Sequence, residues 1–214
     1  YQIEVIYDEF LKLSKSQKKK LRYWYRTNNK VHGLFVNTRK VLVSYSMVEA
    51  EFPDLAMELK KFYRRLYGKE SPFILKEFGY FNKLKKDHYR EFFEHNFNGH
   101  EGLCPFCGIN HIKGNDHTKL EAYDHLISKG KFPFNSINFK NLAIMCNECN
   151  SAYKHEKTIL FTKSNPKRRR VAFYPYSKEH WSIEFNVSFQ VPYSKRIRKT
   201  QLEIEASCNN RTEE

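Results

Sequence analysis

The stretch Leu103–Lys157 decides the reading of this chain. It opens with Cys104-Pro105-Phe106-Cys107 and passes through Tyr123-Asp124-His125 and Asn141-Leu142. It closes with Cys146-Asn147-Glu148-Cys149-Asn150-Ser151-Ala152-Tyr153-Lys154. A C-x-x-C turn sets two sulfurs about 3.5 to 4 Å apart, one edge of a tetrahedron of Zn–S bonds of about 2.3 Å. Two such turns complete the tetrahedron and leave no open position. The spacing therefore predicts a structural Zn²⁺ held by Cys104, Cys107, Cys146 and Cys149, clipping together the two ends of the loop between them. Redox cysteines are the competing reading.

Working outward, the apolar alternation from Leu120 to Leu126 predicts a strand, and Leu142 to Met145 a second one. Asn150 onward reads as the start of a helix. Asn98 to Gly102 holds two glycines and marks a boundary before the cysteine-bearing unit. Upstream, residues 1–98 read as mostly helical. Ser46 and Glu49 have capping-box spacing. Leu55, Leu59, Phe62 and Leu66 follow on one helical face, and Gly68 can stop that helix. Leu84, Tyr89, Phe92 and Phe93 form another pattern. An earlier pattern through Phe10, Leu11, Leu13, Leu21 and Trp24 breaks near Ser14 to Ser16. Leu34 to Val43 reads equally well as a strand or an extended connection. Downstream, Trp181, Ile183, Phe185 and Val187 alternate strictly, and Leu202 and Ile204 continue the habit, so the tail predicts a small sheet. The expected fold class is α+β, in three parts. These are a helical region 1–98, a zinc-stapled unit 99–163 and a β-rich extension 164–214.

Composition adds a polyanion to the picture. The chain carries 38 Lys and Arg against 24 Asp and Glu, a formal charge of +14, with a pI near 9.5. That balance attracts nucleic acid first, with anionic membranes and acidic proteins as alternatives. Two runs, Lys18 to Lys20 and Lys167 to Arg170, could contact phosphates, although a charge run is more often a solvated face. The 18 Phe and 14 Tyr are mostly expected in the core. No apolar run is long enough to span a membrane, which takes about 18 residues. The leftover Cys208 fits a reducing compartment, so a cytoplasmic location is expected.

The order Asp124-His125, Asn141, Asn150 between and beside the cysteine pairs resembles the HNH endonuclease family, the ββα-metal nucleases, in its four-cysteine version. The stretch Lys131-Phe-Pro-Phe-Asn-Ser-Ile-Asn-Phe-Lys-Asn-Leu142 and the ending Cys149-Asn-Ser-Ala-Tyr-Lys154 look like a prokaryotic branch of it. The resemblance covers about Cys104 to Lys157 and neither flank. It implies a ββα-metal unit that hydrolyses DNA phosphodiester bonds. The family's three letters fall on His125, Asn141 and Asn150. His125 then takes the role of general base, a task suited to a neutral imidazole near pH 7. Asp124 and Asn150 supply oxygens to a catalytic Mg²⁺ or Mn²⁺. Asn141 ties down the loop that presents His125, and Lys154 reaches phosphate from the helix face of Asn150. Many family members add a helix histidine as a metal ligand. His155 lies one step off that face and is not expected to serve. Asp116-His117 is expected on a hairpin surface, and His111 is not needed by a site filled with cysteines. The branch also implies an ATPase or sensor partner and a part in phage defence. The alternatives are a non-catalytic zinc-stapled module that holds nucleic acid, or a subunit of a larger assembly. The sequence leaves oligomeric state, strand type and cleavage specificity open.

Overall fold

A computed structural model describes residues 2–66, 79–97, 102–114, 117–154, 158–162, 164–165, 168–178, 183–189 and 202–208. Six helices come first: α1 (Gln2–Lys12), α2 (Lys15–Asn29), α3 (Val31–Val36), α4 (Tyr45–Glu51), α5 (Pro53–Leu66) and α6 (Gly79–Phe97). Two three-residue strands follow, β1 (Tyr123–His125) and β2 (Leu142–Ile144). A π-helical segment, Glu148–Lys154, comes directly after them. The tail carries β3 (Ile183–Phe189) and β4 (Leu202–Cys208). Helices and short antiparallel strands thus coexist, in keeping with an α+β chain.

Local chemistry explains most element boundaries. Ser14 caps α2 with a full capping box, exchanging bonds with Gln17. The break expected near Ser14 to Ser16 is therefore a helix start. The capping box expected at Ser46 and Glu49 is not what begins α4. Ser44 does so, its hydroxyl accepting from the Met47 amide at 3.3 Å. Leu55, Leu59 and Leu66 are buried and Phe62 is half-buried, as their shared face requires. Leu84 on α6 is 37% exposed, whereas Tyr89, Phe92 and Phe93 face inward. The Leu34 to Val43 stretch is split. Leu34 to Val36 finish α3, and an extended connection reaches Val43. Buried Asn28 fixes that connection, bonding both the amide and the carbonyl of Val43 at 2.9 and 2.8 Å. Gly68 and Trp181 lie outside the described residues.

The chain forms two compact units, Tyr1–Tyr176 and Ser177–Glu214. The buried cores of the larger unit do not follow sequence order. One core joins Leu21 and Trp24 of α2 to Val43, α4, Phe52 and α5, with Phe134 arriving from far along the chain. The other joins Val31, Leu34 and Phe35 of α3 to Tyr89, Phe92 and Phe93 of α6. It also takes in Cys104, β2, Cys146 and Cys149, with Ala172 and Tyr174. α3 and α6 thus share a core with the cysteines. In the smaller unit β3 and β4 pair antiparallel, from Ile183↔Cys208 to Phe189↔Leu202.

Candidate functional site

The site is assembled on two short strands and the elements that clamp them. β1 and β2 pair antiparallel in the register Tyr123↔Ile144, Asp124↔Ala143 and His125↔Leu142. A strand pair this short is marginal by itself, so its position depends on its neighbours. The Tyr176 hydroxyl lies against the Leu142 carbonyl, and the Tyr123 hydroxyl lies 3.0 Å from the Lys85 carbonyl of α6.

On one side of the strands lie the four cysteines. Their sulfurs all fall within 4.8 Å of one another. Cys107 and Cys146 stand 3.8 Å apart, the tetrahedral edge that zinc requires. The first turn closes where Gly108 donates to the Cys104 carbonyl at 2.8 Å. Gly108 sits at φ +64°, a left-handed conformation that glycine adopts without steric cost. Backbone amides point at the sulfurs: Cys146 N–H at Cys104 Sγ and Cys149 N–H at Cys146 Sγ, both 3.4 Å. Burial pushes the Cys104 and Cys149 thiols up. Burial acts on Cys107 in the same sense, but the amides of Asn110 and Ile109 outweigh it and bring that thiol to about 7. Four sulfurs this close repel one another as thiolates, and a divalent cation resolves the conflict. The four cysteines are thus positioned to hold a metal ion, and the donor set, spacing and closure are compatible with structural zinc.

Asp124 and His125 are consecutive on β1. His125 Nε2 lies 2.9 Å from the Ser136 carbonyl. A carbonyl only accepts, so Nε2 carries the proton and Nδ1 the lone pair. Burial lowers the imidazole to about 4, with Lys129 and Lys154 adding to the effect and the Ser136 carbonyl opposing it. The ring is therefore neutral near pH 7.

Ser136 belongs to a loop that two asparagines hold. Asn141 is fully buried. Its Oδ1 accepts from the Ile127 amide at 2.8 Å, and its Nδ2 donates to the carbonyls of Ile127 and Asn135 at 3.0 and 3.1 Å. The residue expected to tie down the His125 loop thus bonds to both ends of it. From the helical side, Asn29 at the end of α2 donates to the Phe134 carbonyl at 2.7 Å and accepts from Asn138. Neither Asn29 nor Ser136 was legible as a site residue, because both act through backbone groups far from them in sequence.

Lys154 departs from its expected task. It is buried, 9% exposed, and its ammonium lies 2.6 Å from both Asp124 Oδ2 and the His125 carbonyl. The contact with Oδ2 is one of charge, since that oxygen has no aligned hydrogen-bond donor. Burial raises the Asp124 carboxyl, and Lys154 pulls it back down. A side chain committed inward cannot also reach phosphate from the surface, so Lys154 is a strut between helix and strand. Lys129 is the exposed cation of this side, and its charge is felt by both Asp124 and His125. Asn150 is half-buried in the first turn of the helical segment, its amide donating to the Cys146 carbonyl at 3.0 Å. The zinc turn thus fixes the backbone of Asn150. Among the described residues, the cysteines are the only group of three or more His, Cys, Asp or Glu able to hold a metal.

His155 and Asp116 lie outside the described residues, and His117 is exposed. His111 is exposed, paired by its backbone with Leu103. The two basic runs are largely spent within the molecule. Arg169 bonds the carbonyls of Leu34 and Lys40, and Arg170 that of Ile159. Lys18 bonds the Leu11 carbonyl, and Lys20 pairs with Glu51. Lys167 lies outside the described residues. No helix among the described residues is long and apolar enough to cross a membrane. No family model, no curated protein and no solved structure matches this chain.

Proposed function

We propose that this chain is a divalent-metal-dependent endonuclease of the HNH type that hydrolyses DNA phosphodiester bonds. One observation carries the reading. His125 and Asp124 are consecutive on β1, and the imidazole is locked through Nε2 so that Nδ1 is left as a neutral base. A base held this way, next to a carboxylate and a short helix pinned by a metal turn, matches what phosphodiester hydrolysis needs.

In this reading His125 takes the proton of the attacking water at Nδ1. The bond to Ser136 keeps the ring from turning, and Asn141 keeps Ser136 in place. Asp124 and Asn150 would hold Mg²⁺ or Mn²⁺, which would supply charge neutralisation at the phosphate and at the departing oxygen. Lys154 buttresses Asp124. Lys129 takes over the phosphate contact first given to Lys154, because it is the exposed cation beside the pair. Zn²⁺ on the cysteines holds the helical segment against the strands and takes no part in the chemistry. A protein partner of the ATPase or sensor type, and a role in phage defence, belong to the same proposal through the resemblance.

A second reading is favoured by the Asp124–Lys154 pair, which already neutralises the carboxylate. In it the chain holds nucleic acid without cutting. Plasmid nicking with Mg²⁺ or Mn²⁺ separates the two, with an RNA of equal length run in parallel. Nicking by the wild type that His125→Ala loses supports the nuclease. Equal products from both proteins would leave the binding module standing.

A further inference from the structure

The charge of +14 needs a surface to act on, and the sequence runs do not supply it. A cleft of about 470 Å³ does, on the outer face of α6. Lys83, Lys86 and Arg90 line it, spaced i, i+3 and i+7, so one helical face delivers all three. His117 and Thr118 form the facing wall, and Leu120 contributes apolar surface. Among the described residues Asp87 is the one carboxylate in the lining, and it is engaged by Arg90 at 3.1 Å. Lys83 and Lys86 are exposed and have no ion pair among the described residues.

The cleft is also built. Tyr89 projects inward from α6, is 1% exposed, and donates to the Lys113 carbonyl at 2.7 Å. The Glu121 amide donates to the Tyr89 hydroxyl at 3.4 Å. These bonds tie the segment around the facing wall to the helix. Concave walls of one charge focus the field on whatever enters.

We propose that this cleft binds the phosphate backbone of a nucleic-acid strand and guides it toward β1. The proposal rests on the nuclease reading for the identity of the polyanion, but not on catalysis. Position supports a strand over a small anion. Leu120 lines the cleft and His125 ends β1 five residues later, so contour length holds their Cα atoms within about 18 Å. At about 3.4 Å of rise per nucleotide, that gap is roughly five steps of one strand. A strand held by Lys83 and Lys86 therefore extends within reach of His125.

The test is fluorescence anisotropy with a labelled single-stranded oligonucleotide in Mg²⁺-free buffer, in a His125→Ala background that cannot cut. Lys83→Glu with Lys86→Glu should weaken binding about tenfold or more at low salt. It should also flatten the dependence of log affinity on log salt by about 1.5, roughly the loss of two phosphate contacts. Lys60→Glu with Lys61→Glu on α5 makes the same charge change elsewhere and should leave the slope intact. Equal losses from both pairs would overturn the cleft, leaving only net charge. Inorganic phosphate displacing the oligonucleotide at similar concentration would overturn the strand in favour of a small anion. Because no cutting is read, a dead nuclease with an intact cleft still binds. An active nuclease without this cleft would still cut while its slope stayed unchanged by the α6 pair.

Discussion

The core of α2, α4 and α5 buries Trp24, Val48, Leu55 and Leu59 on continuous helical faces. The core beneath β1 and β2 depends instead on two three-residue strands, a buried asparagine and four sulfurs. The first needs only apolar area removed from water, which accumulates with each residue and tolerates error. The second is made of exact pairings that fail together. The contrast explains where the chemistry sits. A helical face positions a side chain through many soft contacts, whereas the strand end holds His125 and Asp124 through a few specific ones. The helical core lends support through Asn29 and Phe134, which brace the Ser136 loop.

Chelation divides the two cores most sharply. Removing the metal, or Cys146→Ala, should release the strand core, since structural zinc sites are worth on the order of 10 kcal/mol in small domains. Hydrogen exchange then shows amides of 104–154 losing protection while those of α5 keep theirs. Simultaneous loss in both would mean that the cores are one cooperative block. Lys154→Met comes next. It strands a buried carboxylate and should cost about 3–5 kcal/mol, much of it recovered by adding Asp124→Asn. Additive losses would show that the pair is not coupled. Leu59→Ala should cost about 2–5 kcal/mol through a cavity in the helical core. It should leave metal affinity unchanged, and a weakened site would break the proposed separation.

Proton linkage gives a smaller, directional test. His88 of α6 is 8% exposed between the hydroxyls of Tyr123 and Tyr176, beside Phe139 and Lys140. Burial, then Lys140, lowers it to about 4 from an ordinary 6.5. The unfolded chain therefore takes up this proton first as pH falls. Stability is full above about 6.5 and declines toward 4. Urea midpoints of wild type and His88→Gln, compared at about pH 7 and pH 5, should show the wild type losing more. Parallel losses would remove His88 as the cause.

Legibility followed contiguity. The cysteine cluster could be read because the chemistry of a C-x-x-C turn acts over a short span of sequence. The faces of α5 and α6 could be read because burial repeats with the helix. The direction of Lys154 was not legible, since it depends on how the helical segment packs against β1. The α6 cleft is not legible for the same reason, since its cations are spread over a helix and face residues from another segment. The capping site of α4 shifted from Ser46 to Ser44 because both serines offer a hydroxyl, and only the entry geometry chooses between them.

The most direct measurement pairs metal content with cutting. Wild type and His125→Ala are purified, their zinc is counted, and both are given supercoiled plasmid with Mg²⁺ or Mn²⁺. The account predicts equal zinc in both proteins, nicking by the wild type, and a rate lower by about 10²- to 10⁴-fold in the variant. Equal zinc with equal nicking, or no nicking by a fully zinc-loaded wild type, would contradict it.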